Sequence, residues 1–183
     1  VLLTNHHLIE SIGPSSRLVA STMDGTTYPV IKILEFCKND DAAAIRIDGS
    51  DFNPLPLSAD NPAGTNISVI SHPRGIPYSL SEGIVTRMFI QFSIRYMLIS
   101  AEYAVGSSGA PVLDSSGNVL GMVAATGSIN EQMITRICIP SQSLLELTTD
   151  SNFGKPKATY DPLATERACL EATTEKMNQL RIA

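Results

Sequence analysis

The stretch Gly106-Ser107-Ser108-Gly109-Ala110-Pro111 stands between two short apolar runs of the chain. Small residues on both sides of Ser108 let the backbone turn sharply, leave the hydroxyl accessible and direct neighbouring N–H groups into one small space. Acyl transfer needs this arrangement, a nucleophile beside donors that lie about 3 Å from the developing oxyanion. Taken alone, the hexapeptide would be interpreted as an ordinary Ser/Gly β-turn.

Two other segments supply the partners that such a serine needs. Leu3-Thr4-Asn5-His6-His7-Leu8 places histidine at the end of an apolar strand, and Asp41–Ile47 places an acid at the start of a strand of small residues. A serine hydroxyl is a weak nucleophile until a histidine takes its proton, and a carboxylate orients that histidine. The chain carries the three residue types in the order His, Asp, Ser.

Residues 1–140 alternate short apolar runs with turn residues, which is typical of an all-β domain. No helical pattern of about 10 to 15 residues separates the runs, which favours antiparallel sheets or barrels over βαβ units. Asp24-Gly25 predicts a tight hairpin between the first two runs. The predicted strands are Leu18–Met23, Tyr28–Phe36, Ala42–Ile47, Ile67–Ser71, Glu82–Ile90, Arg95–Ser100, Val119–Thr126 and Gln132–Ile139.

Composition excludes several classes of protein. The 183 residues carry 13 Lys+Arg and 18 Asp+Glu, a net charge of −5, without the basic footprint of a nucleic-acid or anionic-membrane binder. The sequence contains no run of 18 apolar residues, so it predicts no membrane-spanning helix. The three cysteines, Cys37, Cys138 and Cys169, are an odd number at no metal-like spacing, which excludes a Cys-framed secreted scaffold and leaves a single disulfide between two of them open. Because the chain opens inside an apolar stretch, we expect it to be a fragment of a longer precursor.

The chain divides into three predicted parts. Residues 1–60 carry the His and Asp segments, residues 61–148 carry the serine segment, and Gly49–Thr65, rich in Pro and Gly, connects the two. Residues 149–183 form a linker and a helix that opens at Asp161-Pro162 and continues to about residue 181. A narrow apolar stripe on this helix favours packing on its own domain, with docking on a partner or a further domain as the alternative.

At this point the sequence resembles the chymotrypsin-fold serine endopeptidases, in particular the HtrA/Deg proteases and related bacterial trypsin-like peptidases. Leu3–Leu8, Asp41–Ile47 and Gly106–Pro111 match the family's three catalytic segments in order and separation. Intervening segments such as Ser81–Val85 and Gly117–Val123 follow the family pattern as well, over roughly residues 1–148. The resemblance implies two antiparallel barrels of the six-stranded type, the first incomplete, with a C-terminal helical extension and a cleft between the barrels.

The resemblance also implies roles for individual residues. His7 would be the general base, Asp41 its orienting carboxylate and Ser108 the nucleophile. The oxyanion hole would be formed at Gly106-Ser107-Ser108, with the backbone N–H groups of Gly106 and Ser108 as donors. No metal or organic cofactor is required by this chemistry, and the family resemblance favours a periplasmic or secreted protein.

Two neighbouring residues compete for these roles. His6 is the main rival of His7, because adjacent strand residues point to opposite faces and only one can meet the serine; alignment favours His7. Asp40 competes weakly with Asp41. A zinc site would need His6, His7 and His72 to converge with a carboxylate, and the divergence of His6 and His7 on a strand disfavours it.

The resemblance places the walls of the substrate cleft on two segments. Glu102 and Tyr103 would lie on one side, and Ala124-Ala125-Thr126 on the other. A Glu102 carboxylate at the pocket floor would favour Lys or Arg at the cleaved position. Alternatively, Glu102 points away and the small side chains admit a modest apolar residue. A peptide or an unfolded protein is the expected partner, bound as an added strand.

Two functions therefore follow from the sequence. The first is a serine endopeptidase that works through an acyl-enzyme. The second is a catalytically inactive trypsin-like peptide-binding module. It is motivated by His6, which stands where the family usually has a small residue, and by the absence from this sequence of the strands that precede the His segment in the family. The presence of all three triad residue types favours the enzyme.

Overall fold

The computed structural model describes residues 1–12, 17–60, 62–129, 133–149 and 153. Strands account for most of the regular structure in these residues. The elements in chain order are β1 (Leu2–Asn5), α1 (His6–Glu10), β2 (Val19–Ser21), β3 (Thr27–Cys37), β4 (Ala42–Ile47), β5 (Asn66–Ser71), a 3-10 turn (Pro73–Gly75), β6 (Ser79–Gln91), β7 (Ile94–Ile99), β8 (Pro111–Leu113), β9 (Val119–Ile129), β10 (Met133–Pro140) and α2 (Ser141–Thr149).

The strands form two antiparallel sheets. The first is a four-stranded sheet with the order β1-β4-β3-β2, and the second is a closed barrel with the order β10-β7-β6-β5-β8-β9. The mostly β, two-sheet architecture predicted from the strand rhythm is therefore confirmed. The first sheet is formed by strands within residues 2–47 and the barrel by strands within residues 66–140, so the change of sheet falls in the Pro/Gly-rich connection; a boundary at residue 60 stays a prediction.

The register of the first sheet prepares the position of the His and Asp segments. β1 and β4 run antiparallel, with Leu2 opposite Ile45 and Asn5 opposite Ala42. The residues that follow β1 therefore lie beside the residues that precede β4. The three alanines at the start of β4 are fully or almost fully buried, and their small side chains allow other elements to pack closely over this point.

The barrel encloses the main apolar core of the described residues. Along β5 the exposure alternates with the strand period, so that Ile67 and Val69 point inward and Asn66 and Ile70 outward. Gly121 is required in β9, because a Cβ there would lie 2.4 Å from Met97 Cε and 2.6 Å from the carbonyl oxygen of Ile139. The buried residues of this core are Ile67, Val69, Val85, Met97, Ile99, Ala101, Tyr103, Val112, Leu120, Val123 and Cys138.

Helix α2 packs where the two sheets meet. Its Leu144 and Leu147 share a cluster with Leu34 of β3 and with Met122 and Ile139 of the barrel. The helical turns predicted over Ser141–Thr148 are thus confirmed as Ser141–Thr149. The single cluster therefore packs the two sheets together through α2.

One sequence-based expectation about local structure is wrong. His6 and His7 do not lie on a strand, because β1 ends at Asn5 and both histidines belong to the first turn of α1. The turn forms here because the backbone N–H of His6 donates to the carbonyl oxygen of Asp41, and the N–H of His7 donates to the Asp41 carboxylate. The predicted helix over residues 161–181 lies outside the described residues.

Candidate active site

His7 and Asp41 form a direct side-chain pair. The His7 Nδ1 atom lies 2.7 Å from Asp41 Oδ2, and the His7 backbone N–H donates to Asp41 Oδ1 at 2.9 Å. An ionised carboxylate can only accept hydrogen bonds, so Nδ1 carries the proton and Nε2 of the neutral ring keeps its lone pair. The His7 side chain is 46% exposed. The ring is therefore accessible from solvent.

The backbone of Asp41 holds the carboxylate in place. Asp41 lies in the left-handed region, with φ +51, at the residue before β4. Its carbonyl oxygen accepts hydrogen bonds from the His6 N–H at 3.0 Å and from Asn5 Nδ2 at 3.2 Å. Backbone strain of this kind persists where surrounding contacts hold it. Both the main chain and the side chain of Asp41 thus contact the His segment.

Asn5 is a functional candidate that the sequence analysis did not assign. Its side chain is completely buried and links the end of β1 to Asp41. The signal for Asn5 in the sequence is a polar amide that follows the apolar run Val1–Leu3 and Thr4 and directly precedes His6. A buried amide is retained where its hydrogen bonds define a geometry.

The rivals of the two residues point elsewhere. The His6 ring is buried, packs at 4.9 Å from the Phe36 ring, and has its Nδ1 3.8 Å from Glu10 Oε2. Burial is the main reason that the pKa of His6 lies below its ordinary value. Asp40 lines a surface cavity beside β3 and α2. The structure therefore brings the imidazole ring of His7, and not that of His6, to the Asp41 carboxylate.

The Ser108 loop approaches the same place from the barrel. Gly109 N–H donates to Val123 O at 3.0 Å and Val123 N–H donates to Ala110 O at 2.9 Å, which fixes the loop on β9. A Cβ built on Gly109 would lie only 3.3 Å from Thr4 Oγ1. The loop that carries Ser108 therefore lies against Thr4 of β1, three residues before His7 in the sequence.

The backbone N–H groups of the Gly106-Ser107-Ser108 segment differ in their hydrogen bonds within the described residues. The Ser107 N–H donates to Ala104 O at 3.1 Å, so it is already used inside the loop. In the described part of the chain no hydrogen bond uses the N–H of Gly106 or of Ser108. Gly106 has φ +97, a conformation that glycine adopts readily. Of the three residues predicted for the oxyanion hole, Gly106 and Ser108 thus offer free donors and Ser107 does not.

Ser108 is not hydrogen-bonded to His7 within the described residues. Its Oγ lies 3.5 Å from the carbonyl oxygen of Ala124, a long and weak contact. The structure thus brings together His7 and Asp41 directly, and Ser108 only as a neighbour of the same junction.

The predicted cleft residues Glu102 and Tyr103 take opposite orientations. The Glu102 side chain is 85% exposed, and its Oε1 lies 3.3 Å from Arg136 Nη2. Tyr103 is buried, and its hydroxyl lies 2.8 Å from Ala125 O and 2.9 Å from Ile137 O. Burial raises the pKa of the Tyr103 phenol far above its ordinary value. Glu102 thus places no carboxylate inside the barrel, and Tyr103 fills space next to β9.

The other predicted wall, Ala124-Ala125-Thr126, belongs to β9. Ala125 and Thr126 are exposed, and Ala124 is half-buried. On one side these residues pair with β10, Ala125 opposite Ile137 and Thr126 opposite Arg136. On the other side β8 pairs with β9 only as far as Met122. The strand edge after Val123 is therefore free of a β8 partner next to Ser108.

Other chemistry has little support in the described residues. No group of three or more His, Cys, Asp or Glu side chains lies close enough there to hold a metal ion. Cys37 and Cys138 are free thiols, and burial raises the pKa of Cys138 to about 12. Among the helices of this part of the chain, none is long and apolar enough to cross a membrane.

Comparison with known proteins identifies the relatives of this arrangement. The family model of the trypsin-like peptidase domain matches residues 1–122. Protease Do-like 1, chloroplastic, from Arabidopsis thaliana is 30% identical over 136 residues, which are 68% of this chain and 30% of that protein. The anti-sigma-I factor RsgI9 of Acetivibrio thermocellus is 29% identical over 125 residues, 66% of this chain and 17% of that protein.

A solved structure shows the same fold. The HtrA-type protease AlgW, solved with a decapeptide, superposes with a TM-score of 0.67 at 21% identity, covering 79% of this chain and 46% of that one. The chain thus spans less than half of the length of each of these relatives. The family match covers well over half of this chain, and the chymotrypsin-like fold agrees with it. The chain belongs to the trypsin-like peptidase family, and its fold is that of the HtrA-type proteases.

Proposed function

We propose that this protein is a serine endopeptidase in which Ser108 is the nucleophile, His7 the general base and Asp41 the orienting carboxylate. The observation that carries the proposal is the 2.7 Å contact between His7 Nδ1 and Asp41 Oδ2, made at the strand end that the Ser108 loop touches. It leaves the His7 Nε2 lone pair on an accessible ring. That is the atom a serine nucleophile needs.

The acylation step follows from this arrangement. Ser108 Oγ attacks the peptide carbonyl carbon while its proton passes to His7 Nε2, and the resulting imidazolium is stabilised by Asp41. His7 then donates that proton to the leaving amine, and the C–N bond breaks to give an acyl-enzyme. Water, activated by the same histidine, releases the acid and regenerates Ser108. Each step returns the proton that it takes, so the residues of the chain suffice.

The charge that develops on the substrate oxygen needs its own partners. The free N–H groups of Gly106 and Ser108 are the donors we assign to it, as an oxyanion hole. Removing one such donor typically lowers kcat by about 100- to 1,000-fold. The role of Ser107 is to close the loop through its hydrogen bond to Ala104 O.

We propose that the substrate is an extended peptide or an unfolded protein segment that adds as a strand to β9. The free edge of β9 after Val123 offers main-chain groups beside Ser108, and strand addition uses such groups without regard to side chains. The structure of the similar protease AlgW was solved with a decapeptide, which supports a peptide as ligand here. Side-chain preference is then decided by the pocket next to β9.

The pocket favours a small apolar side chain at the cleaved position. The Glu102 carboxylate is directed to the surface, where Arg136 faces it. The Tyr103 ring occupies the core beside Ala125 and Ile137. A substrate Lys or Arg would find no buried carboxylate, and a large side chain would compete with Tyr103 for space. Profiling cleavage of a diverse peptide mixture tests this preference, and dominant cleavage after Lys or Arg would contradict it.

Covalent labelling tests the enzyme assignment directly. A fluorophosphonate probe phosphonylates an activated serine with loss of fluoride, and we expect one label, on Ser108. Ser108→Ala should abolish labelling, and His7→Ala should slow it strongly, whereas Ser116→Ala, which alters an exposed turn serine, should label like the unmodified protein. Labelling that persists in Ser108→Ala would disprove the nucleophile.

A second function is favoured by one observation, the contact of Ser108 Oγ with Ala124 O instead of His7. A trypsin-like fold with its serine turned away would bind extended peptides without cleaving them. RsgI9, which contains a similar segment, is named as an anti-sigma-I factor and not as a protease. Peptide binding without fluorophosphonate labelling and without cleavage would establish this function instead.

A further inference from the structure

The segment Ser71–Gly75, at the end of β5, contacts the loop that carries Gly106 and Ser108 through several atoms. We call this segment the β5 turn. The N–H of Arg74 donates to Val105 O at 2.7 Å, and the Oγ atoms of Ser107 and Ser71 lie 3.1 Å apart. Both serines are almost completely buried. The loop is therefore bound to β5 on one side as firmly as it is bound to β9 on the other.

The hydrogen bond to Val105 O controls the direction of the next N–H. A trans peptide is planar, and its C=O and N–H point to opposite sides. The Val105 carbonyl is drawn toward the β5 turn by Arg74, so the Gly106 N–H of the same peptide unit points away from the turn. The Gly106 N–H donates no hydrogen bond in the described part of the chain. Rotation of this one peptide unit would remove the donor from the cleft.

Close packing prevents the loop from relaxing around this bond. A Cβ built on Gly106 would lie 2.6 Å from His72 O and 3.4 Å from Arg74 N. The glycine Cα thus sits against the backbone of the β5 turn, with no space for a side chain. The turn is closed by its own hydrogen bond, from the Gly75 N–H to His72 O at 3.1 Å.

The conformation of Arg74 indicates that its backbone N–H, and not its side chain, makes the contact that matters. Arg74 has φ +53, which is unfavourable for any residue with a Cβ, and its side chain is exposed. No ion pair of the Arg74 guanidinium occurs among the described residues. Strained backbone is retained where the surrounding structure over-determines it. The left-handed conformation is what aims the Arg74 N–H at Val105 O.

We propose that Arg74 is a positioning residue for the oxyanion hole: its backbone N–H holds the Val105–Gly106 peptide so that the Gly106 N–H faces the substrate oxygen. The inference rests on the proposed function and adds to it the β5 turn as a support of the transition state. Because the support is a main-chain hydrogen bond, the identity of the side chain at position 74 is not important as long as the left-handed conformation is kept.

Three changes at position 74 separate the backbone from the side chain. Arg74→Gly keeps the N–H and favours the left-handed conformation, and Arg74→Pro removes both. Replacing the Pro73–Arg74 amide by an ester removes the N–H and keeps the side chain; it also weakens the Pro73 carbonyl, which accepts from the Ile76 N–H. Asp51→Pro is the matched control, since Asp51 also has a positive φ, +65, but lies in the connection before β5. Thermal unfolding of each variant reports its stability.

The readouts are kcat and KM on a peptide taken from the cleavage profile, and the affinity for a peptide boronic acid, whose tetrahedral adduct places an oxygen in the oxyanion hole. We expect the Pro and ester variants to lower kcat and boronate affinity by about 100-fold with KM changed by less than about 3-fold. Arg74→Gly and Asp51→Pro should cleave like the unmodified protein. If Arg74→Pro does not fold, the ester variant decides.

The outcomes distinguish this inference from the proposed function. An unmodified protein that neither cleaves nor labels overturns both. If it cleaves and the ester variant matches it in kcat, the Arg74 inference is wrong while the enzyme assignment stands. A loss in Arg74→Gly as large as in Arg74→Pro would also overturn the inference, because it would assign the effect to the guanidinium.

Discussion

The two sheets hold the two halves of the candidate site by different means. In the barrel, six strands close on themselves around an apolar core, and the Ser108 loop is attached to β9 and to the β5 turn by backbone hydrogen bonds. In the four-stranded sheet the core is smaller, and large residues such as Val19 and Ile31 are 51% and 57% exposed. His7 is placed there by contacts to one residue, Asp41.

The difference indicates where each half is vulnerable. A loop fixed by main-chain groups tolerates side-chain changes and fails when its supporting core is disturbed. A histidine fixed by one carboxylate depends on that side chain whatever the core does. The barrel should therefore respond most to changes of volume, and the open sheet to changes of polarity at Asp41.

The largest expected effect is that of Asp41→Asn. An asparagine has one acceptor where the carboxylate has two, so it cannot accept from both the N–H and Nδ1 of His7, and an amide presented to Nδ1 favours the wrong tautomer. We expect kcat to fall by about 10,000-fold with the fold intact. Asp40→Asn, one residue away, should leave kcat unchanged. Equal losses in the two variants would contradict the assignment of Asp41.

The next effect concerns the core of the barrel. Met97 is completely buried, and Met97→Ala should lower the free energy of unfolding by roughly 2 to 5 kcal/mol. Ile33 is half-buried on β3. Ile33→Ala should lower the free energy of unfolding by only roughly 1 to 2 kcal/mol, because the side chain buries less apolar surface than Met97 does. Urea unfolding curves measure both. A larger loss in the sheet than in the barrel would reverse the comparison.

Much of this architecture was predictable from local pattern. Alternating apolar residues in Ile67–Ser71 and the small residues of Ala42–Ile47 predicted strands that the structure contains. The antiparallel pairing followed from the absence of helices between runs. His7 and Asp41 were chosen through the resemblance to the trypsin-like family and not from local pattern, and the structure brings them into contact.

The rest depends on long-range contacts that no local pattern carries. The helical turn at His6 forms because Asp41, 34 or more residues away in sequence, accepts its first N–H groups. The Glu102 carboxylate faces Arg136 of the neighbouring strand β10, and the bond from Arg74 to Val105 O joins two loops. Sequence spacing identifies such residues as candidates but does not tell which way their side chains or N–H groups point.

A smaller effect distinguishes glycines that face backbone from glycines that face side chains. Gly121→Ala would bring a Cβ to 2.6 Å from Ile139 O, so the barrel must shift, and we expect roughly 1 to 3 kcal/mol of destabilisation. Gly49→Ala meets only the rings of Tyr28 and Phe52, the nearest atom at 2.5 Å, and these rings can rotate. Thermal unfolding should therefore show a smaller shift for Gly49→Ala, and an equal shift would contradict this account.

The smallest expected effect is the dependence of stability on the protonation of His6. Burial holds the pKa of His6 below its ordinary value of 6.5 in the folded chain, so the unfolded chain binds a proton first as the pH falls. The stabilisation is fully present above pH 6.5 and is lost progressively as the pH falls from there to the folded pKa. His6→Gln, which does not titrate, should flatten this part of the curve of unfolding free energy against pH. Because the His6 ring packs against Phe36 and Glu10 and not against Asp41, we expect His6→Gln to leave kcat unchanged. An unchanged slope in His6→Gln would assign the pH dependence to other groups and leave His6 as a packing residue against Phe36.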